Sequence, residues 1–289
     1  MRYLALLVAV ACSSKDDAPT RDKAPPGKPV AVSIAVDAVA LPEHQTFRDL
    51  PAALRAVIPA DARVVGFGEL HSRVDRPNVR SSLAAFTDAL PSIGEQFSDL
   101  VVETWVVDPK CGKTAVKATR KVEQAVKRPE ATKSEISKLA AAAAAAKIQP
   151  HAMTLSCADY KAIAPEKAGP DPIAMLTLTT KELARISTSA VNFRNKQATH
   201  RPWIAVYGGA LHNDRFPAAG VAEWSYAAAA DKASQDRFIE IDLIVPELAE
   251  PDESSQQQPW FPLVAAAREI VVWKRGDRSF VVILPRTTK

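Results

Sequence analysis

The stretch RVVGFGELHSRVD, Arg63–Asp75, runs through a short apolar segment and then sets Glu69 and His71 two residues apart. An apolar run too short for a helix and unbroken by alternation reads as a strand buried on both faces, the kind found in parallel sheets. Two further stretches repeat the pattern. WIAVYGGALHND, Trp203–Asp214, is an apolar run, a glycine pair and then His212. DLVVETW, Asp99–Trp105, carries Glu103 near its end.

Helical patterns separate these runs. Phe47, Leu50, Leu54 and Val57 fall at helical spacing behind Asp49 and Pro51. From about Asn78, the residues Val79, Leu83, Phe86 and Leu90 make one apolar stripe. A third helix from about Pro172 to Asn195 carries Leu183, Ile186, Ala190 and Phe193 on one face. Strands are also predicted over HAMTLSC, His151–Cys157, and RFIEIDLIV, Arg237–Val245. EIVVWKRGDRSFVVILP closes the chain as a hairpin whose RGD, Arg275–Asp277, is its turn. Strands alternating with helices imply an α/β fold: a mostly parallel sheet flanked by helices, with a C-terminal β-hairpin. Residues Lys113–Lys147 stand apart, rich in Ala and Lys and broken at RPEAT, Arg128–Thr132, so they are expected to form an inserted helical hairpin. Nine basic residues face three acidic ones there, a balance expected of a solvated helix face, with contact to an anionic ligand or lipid headgroup as the functional alternative.

The first residues speak to compartment. MRYLALLVAVAC has one positive charge and an apolar run too short to span a bilayer, and it ends at Cys12 behind small residues. It resembles a bacterial lipoprotein signal with Ala9 where Leu is usual, which makes Cys12 the lipidated residue and places the protein at a bacterial membrane, facing the periplasm or cell surface. The polar, Pro-rich stretch that follows reads as a tether. The organisation expected is therefore a signal over residues 1–12, a tether with an opening strand (VAVSIAV, Val30–Val36) over 13–41, and one α/β domain over 42–289 that contains the 113–147 insertion. At 289 residues and 47% hydrophobic, the chain can bury one good core. A net charge of +4, dispersed and without a nucleic-acid motif, argues against DNA or RNA as a partner. Cys111 and Cys157 are the two remaining cysteines, and export favours a disulfide between them.

In an open α/β sheet, ligands gather beyond the carboxyl ends of the strands. Glu69, His71, Glu103 and His212 all fall at such ends, and residues i and i+2 of an extended segment project to one side. Two imidazoles and two carboxylates make a metal site for zinc, manganese or cobalt. Without metal they make a base and an orienting carboxylate for a water. Arg80 is a candidate to hold a substrate anion or developing oxyanion, and Asp214 a candidate to orient His212. G-x-S-x-G, H-E-x-x-H and a full P-loop are missing from the sequence. His44, His151 and His200 have no carboxylate or cysteine at ligand spacing.

On GELH (Gly68–His71), Glu103 in VVETW and YGGALH (Tyr207–His212), the chain resembles the ChaN-like haem-binding uptake proteins, with erythromycin esterase-like and TraB/TIKI proteins as more distant relatives. Arg80 is similar to the arginine that follows the first motif in the esterase-like branch. The single residue between Glu69 and His71 fits the ChaN-like form, whereas the esterase-like branch has two. The resemblance implies an α/β fold and, in different branches, haem-binding lipoproteins or metalloproteases. Two functions follow from it as expectations: a hydrolase of a small-molecule or peptide substrate, and a non-catalytic haem or iron binder with Tyr207, His71 or His212 as axial ligand.

Overall fold

A computed structural model describes residues 41–197 and 201–287; the lipidation site, the tether and the expected Val30–Val36 strand lie outside the described residues. Residue burial follows the central predicted strands, while the edge strand near His151 is largely exposed. Val64–Glu69 (β2) is buried at every position. Val65 and Phe67 enter one apolar cluster and Val64 the other, so the strand has helices on both of its faces.

The strands are Gln45–Phe47 (β1), β2, Phe97–Trp105 (β3), Gln149–Met153 (β4), Trp203–Gly209 (β5), Phe238–Ile244 (β6), Ile270–Gly276 (β7) and Ser279–Ile283 (β8). They form one sheet in the order β1-β7-β8-β6-β2-β5-β3-β4. The pairs β2–β5, β2–β6, β3–β5, β3–β4 and β6–β8 are parallel, while β1–β7 and the hairpin β7–β8 are antiparallel. The architecture is thus α/β, with a mostly parallel sheet flanked by helices. The chain leaves β5 on one side of β2 and enters β6 on the other, so the crevice that a parallel sheet opens at a reversal of strand order falls at the end of β2.

Helices Leu50–Val57 (α1) and Ser82–Ile93 (α2) cover one face. Asp49 caps the first, its side chain accepting from the Ala52 amide at 2.8 Å. Ser81 caps the second through the Ala84 amide at 2.9 Å, which is why α2 starts later than the apolar stripe from Asn78 suggests. Gly112–Val126 (α3) and Ala131–Ala145 (α4) are the predicted hairpin. Its two arms pack on opposite faces of the sheet: Ala115, Ala118 and Val122 of α3 join one apolar cluster, and Leu139 and Ala143 of α4 join the other. The linker at residues 127–130 therefore arches over the carboxyl ends of the strands. Cys157–Ile163 (α5), Pro172–Arg194 (α6) and Ala227–Ser234 (α8) lie on the α3 side, with the short Ala210–Asn213 (α7) directly after β5. Pro246–Ala249 (α9), Glu253–Gln256 (α10) and Pro262–Ala266 (α11) lead to the final hairpin. Among the described residues no helix is long and apolar enough to cross a membrane.

The HAMTLSC reading is corrected at both ends: the strand runs Gln149–Met153. Ser156 forms a capping box with Asp159, so Cys157 opens α5 rather than ending a strand. That position brings Cys157 to Cys111 at the head of α3, where the two form a disulfide across 46 residues. A loop of that length gives about 4 kcal/mol in the chain-entropy model. We expect the double variant C111S/C157S to lose roughly 2–4 kcal/mol in urea unfolding, because the unfolded chain regains the freedom of the 46-residue loop; a midpoint unchanged from the oxidised protein would rule the bridge out as a stabilising link.

Candidate active site

Glu69 ends the central strand and is buried, so its carboxylate needs donors. It finds three from three elements. Oε1 pairs with His71 Nδ1 at 2.8 Å, and Oε2 accepts from Tyr207 Oη at 2.7 Å on β5 and from Ser82 Oγ at 2.9 Å on α2. Burial works against this charge, but the bonds from His71 and Tyr207 and the nearby Arg128 hold the Glu69 pKa below its ordinary value. Burial and the Glu69 charge push the Tyr207 phenol well above its usual range, so it stays a donor.

Glu103 reaches the same point from β3. The pairing of β3 with β4 shifts register between Val102 and Trp105, a local irregularity that re-aims the side chains there. Its Oε2 accepts the Gly209 amide at 2.6 Å. A Cβ on Gly208 would stand 2.7 Å from that same oxygen, and one on Gly209 would stand 2.9 Å from His71 Nε2. The glycine pair is thus what lets Glu103 and His71 lie against the end of β5. Burial opposes the Glu103 charge too, yet His71, Arg128 and His212 hold its pKa far below the usual carboxylate range.

A further group comes from the linker of the helical hairpin. Arg128 Nη2 lies 2.7 Å from His71 Nε2 and donates to Glu103 Oε1 at 3.3 Å. A guanidinium only donates, so its approach meets the lone pair of a neutral ring whose proton sits on Nδ1 and points at Glu69. Once Nε2 is protonated, Glu103 Oε1 at 3.6 Å is its partner and Arg128 must draw back. Burial and Arg128 resist protonation of His71, but Glu103 and Glu69 outweigh both and its pKa is pushed up to about 9.

The structure brings Glu69, His71, Glu103 and Tyr207 together and sets the other candidates apart. His212 is 4% exposed, with Nδ1 at 2.9 Å from both Thr180 Oγ1 and the Trp224 carbonyl; it acts on the cluster only through its nearness to Glu103. Asp214 pairs with Arg275 at 2.7 Å and not with His212. Arg80 points away to the surface and pairs with Asp88 on α2, so Arg128 stands where Arg80 was expected. His151 does have a carboxylate partner, Asp99 at 2.8 Å, separated from it by 52 residues and therefore invisible to local spacing. Asp99 also takes Arg194 at 2.7 Å and ties β3 to α6; against its burial, His151, Arg194 and Ser98 hold its pKa down to about 2. Sequence reasoning missed Arg128, Ser82 and Thr180. The one signal for Arg128 was its place before Pro129 at the break of the insertion.

The proposed metal ligands do not fit a divalent ion as they stand. Glu69 spends both oxygens on His71, Ser82 and Tyr207, and Arg128, already a cation, lies between His71 and Glu103. Among the described residues no group of three or more His, Cys, Asp or Glu is arranged to hold a metal. A cleft of about 450 Å³ opens between α3, α4 and the end of β3, but none of Tyr207, His71 and His212 borders it. Behind Arg128 a second cavity, about 10 Å³ and bordered by Glu69, His71 and Tyr207, is the size of one water.

No family model and no curated protein matches the chain. A solved structure, that of the type III effector HopBA1, aligns with a TM-score of 0.42 at 14% identity, covering 85% of this chain and 98% of that one.

Because His71 binds its proton more tightly in the folded protein than in the unfolded chain, the stability it lends is complete below pH 6.5 and fades as pH rises through about 9. We expect a histidine NMR titration to find the His71 midpoint near 9 and Glu103→Gln to lower it by about one pH unit or more. A midpoint at or below 6.5 in the unaltered protein would contradict the ion-pair geometry.

Proposed function

We propose that this chain is an exported, lipid-anchored hydrolase that activates water with His71 and uses no metal to do so, which departs from the metalloprotease activity that the TIKI resemblance implies. The observation that carries the reading is the Glu69–His71 contact at 2.8 Å: a carboxylate, itself held by Tyr207 and Ser82, orients the ring through Nδ1, while Nε2 faces Arg128 at the edge of a water-sized cavity. This is the arrangement of a general base and its orienter. In the step it supports, which needs the neutral ring and therefore grows as pH rises toward about 9, water attacks the electrophilic centre of the scissile bond while Nε2 takes the water's proton. The imidazolium, stabilised by Glu69 and Glu103, then returns that proton to the leaving group.

The purified chain is the material for a screen of chromogenic esters and amides. His71→Gln should lower turnover about 10²–10⁴-fold, the range for loss of a general base, with the fold unchanged by circular dichroism. Exhaustive dialysis against a chelator should leave turnover intact. Activity lost on chelation and restored by zinc would replace this reading with a metal-dependent one, and a His71→Gln variant as active as the parent would end it.

The anchor rests on the sequence MRYLALLVAVAC. Cys12→Ala should move the protein from the membrane fraction of an expressing bacterium to the soluble fraction. Retention at the membrane would sever Cys12 from anchoring.

A further inference from the structure

We propose that the cleft under the helical hairpin binds an amphipathic molecule carrying one oxyanion, a carboxylate or phosphate, and that this anion draws Arg128 off His71. The inference rests on the hydrolase reading for its consequence, but the binding itself stands on the cleft.

The cleft runs to about 450 Å³ and shares Glu103, Arg128, Thr132 and Ile136 with the small cavity behind it, so Arg128 is the wall between the two. Trp105, Met175 and the exposed Val126 supply an apolar side. The polar side has unused donors. Lys133 is neutralised by Glu123 at 2.9 Å. Arg120, in contrast, has no ion-pair partner among the described residues and faces the same space. Arg128 engages neighbours only through Nη2, which leaves Nε and Nη1 without a hydrogen bond among the described residues. Thr132 Oγ1 is buried with no partner, at the second position of a helix that begins without a side-chain cap or an acidic residue in its first turn. Two guanidinium groups and a spare hydroxyl beside an apolar wall suit an amphipathic anion, since charge-assisted hydrogen bonds are the strong ones; of the carboxylates on this lining, Glu103 already takes Arg128 and Gly209, Glu123 takes Lys133, and Glu130 sits at the cap of α4.

The position of Arg128 makes this more than a binding pocket. Its Nη2 stands on the nitrogen that has to take a proton from water. A neutral molecule in the cleft gives the guanidinium no reason to leave. An oxyanion offers it a full charge, and among the described residues the backbone of the linker that carries it, with Lys127 at φ 48°, is tied outside the hairpin by one bond, from the Val74 amide to the Lys127 carbonyl. Arg128 is in this sense a specificity residue: the substrate's anion and the freeing of the base are one event.

Calorimetric titration of the full chain with octyl phosphate, octanoate and octanamide tests the cleft, and hydrolysis of p-nitrophenyl butyrate against mono-p-nitrophenyl succinate tests its consequence. We expect saturable binding of at least one of the two anions and none of the amide, with the tighter of phosphate and carboxylate naming the anion. Arg128→Met and the exposed Arg120→Ala should each weaken that binding roughly tenfold, the loss of a hydrogen bond to a charged group, while Lys117→Ala on the outer face of α3 should not. Octanamide binding as tightly as the anions, or anion binding untouched in Arg120→Ala, would overturn the proposal even if Arg128→Met proved unstable. Anion binding lost in both arginine variants, in a protein that hydrolyses no ester, would support the cleft and defeat the hydrolase reading alone. Turnover equal for the neutral and anionic esters would defeat the anion gate and leave the hydrolase standing.

Discussion

A carboxylate buried at the end of the central strand organises the site. Glu69 cannot be charged and buried unless donors surround it, and the donors available are His71 from the following loop, Tyr207 from the neighbouring strand and Ser82 from the first turn of α2. Each bond constrains one element. The loop must fold back at once, β5 must stay in parallel register with Phe67 opposite Tyr207, and α2 must begin beside the strand it covers. The direction of the His71 lone pair is a by-product of satisfying Glu69.

A second constraint is the absence of side chains at Gly208 and Gly209. Strand ends in a parallel sheet are close-packed, and a Cβ at either position would overlap Glu103 or His71. The glycines let a carboxylate from β3 cross the end of β5 and meet the imidazole from β2. The cluster then balances two carboxylates against one arginine and one titratable ring, and that balance sets the pKa directions: Glu103 far down, Glu69 down, His71 up.

The helical insertion gains a role from its path. One arm packs on each face of the sheet, so the turn between them has no route except over the strand ends. The disulfide holds the start of this arch to α5. A segment whose basic composition reads as solvated surface thus delivers Arg128 to the centre of the site and roofs the cleft beside it.

The fold was legible because its signals are local. WIAVYGG is a strand from Trp203 to Gly209 in sequence and structure alike, and the hairpin break expected at Arg128–Thr132 overlaps the 127–130 linker, its last two residues already opening α4. The GELH and VVET ends were legible as well, since residues at the carboxyl ends of parallel strands share one side of the sheet. What only the tertiary structure decided were the pairings between distant residues: Arg128 with His71 across 57 positions, Tyr207 with Glu69 across 138, Asp99 with His151 across 52. It also turned Arg80 outward to Asp88 and gave Asp214 to Arg275. The physical reason is the range of the forces involved. Hydrophobic periodicity and capping act within a few residues, so the sequence by itself determined the elements and the strand ends that bear chemistry. Burial of charge is settled only when remote segments meet, so the structure alone decided which cation neutralises which carboxylate.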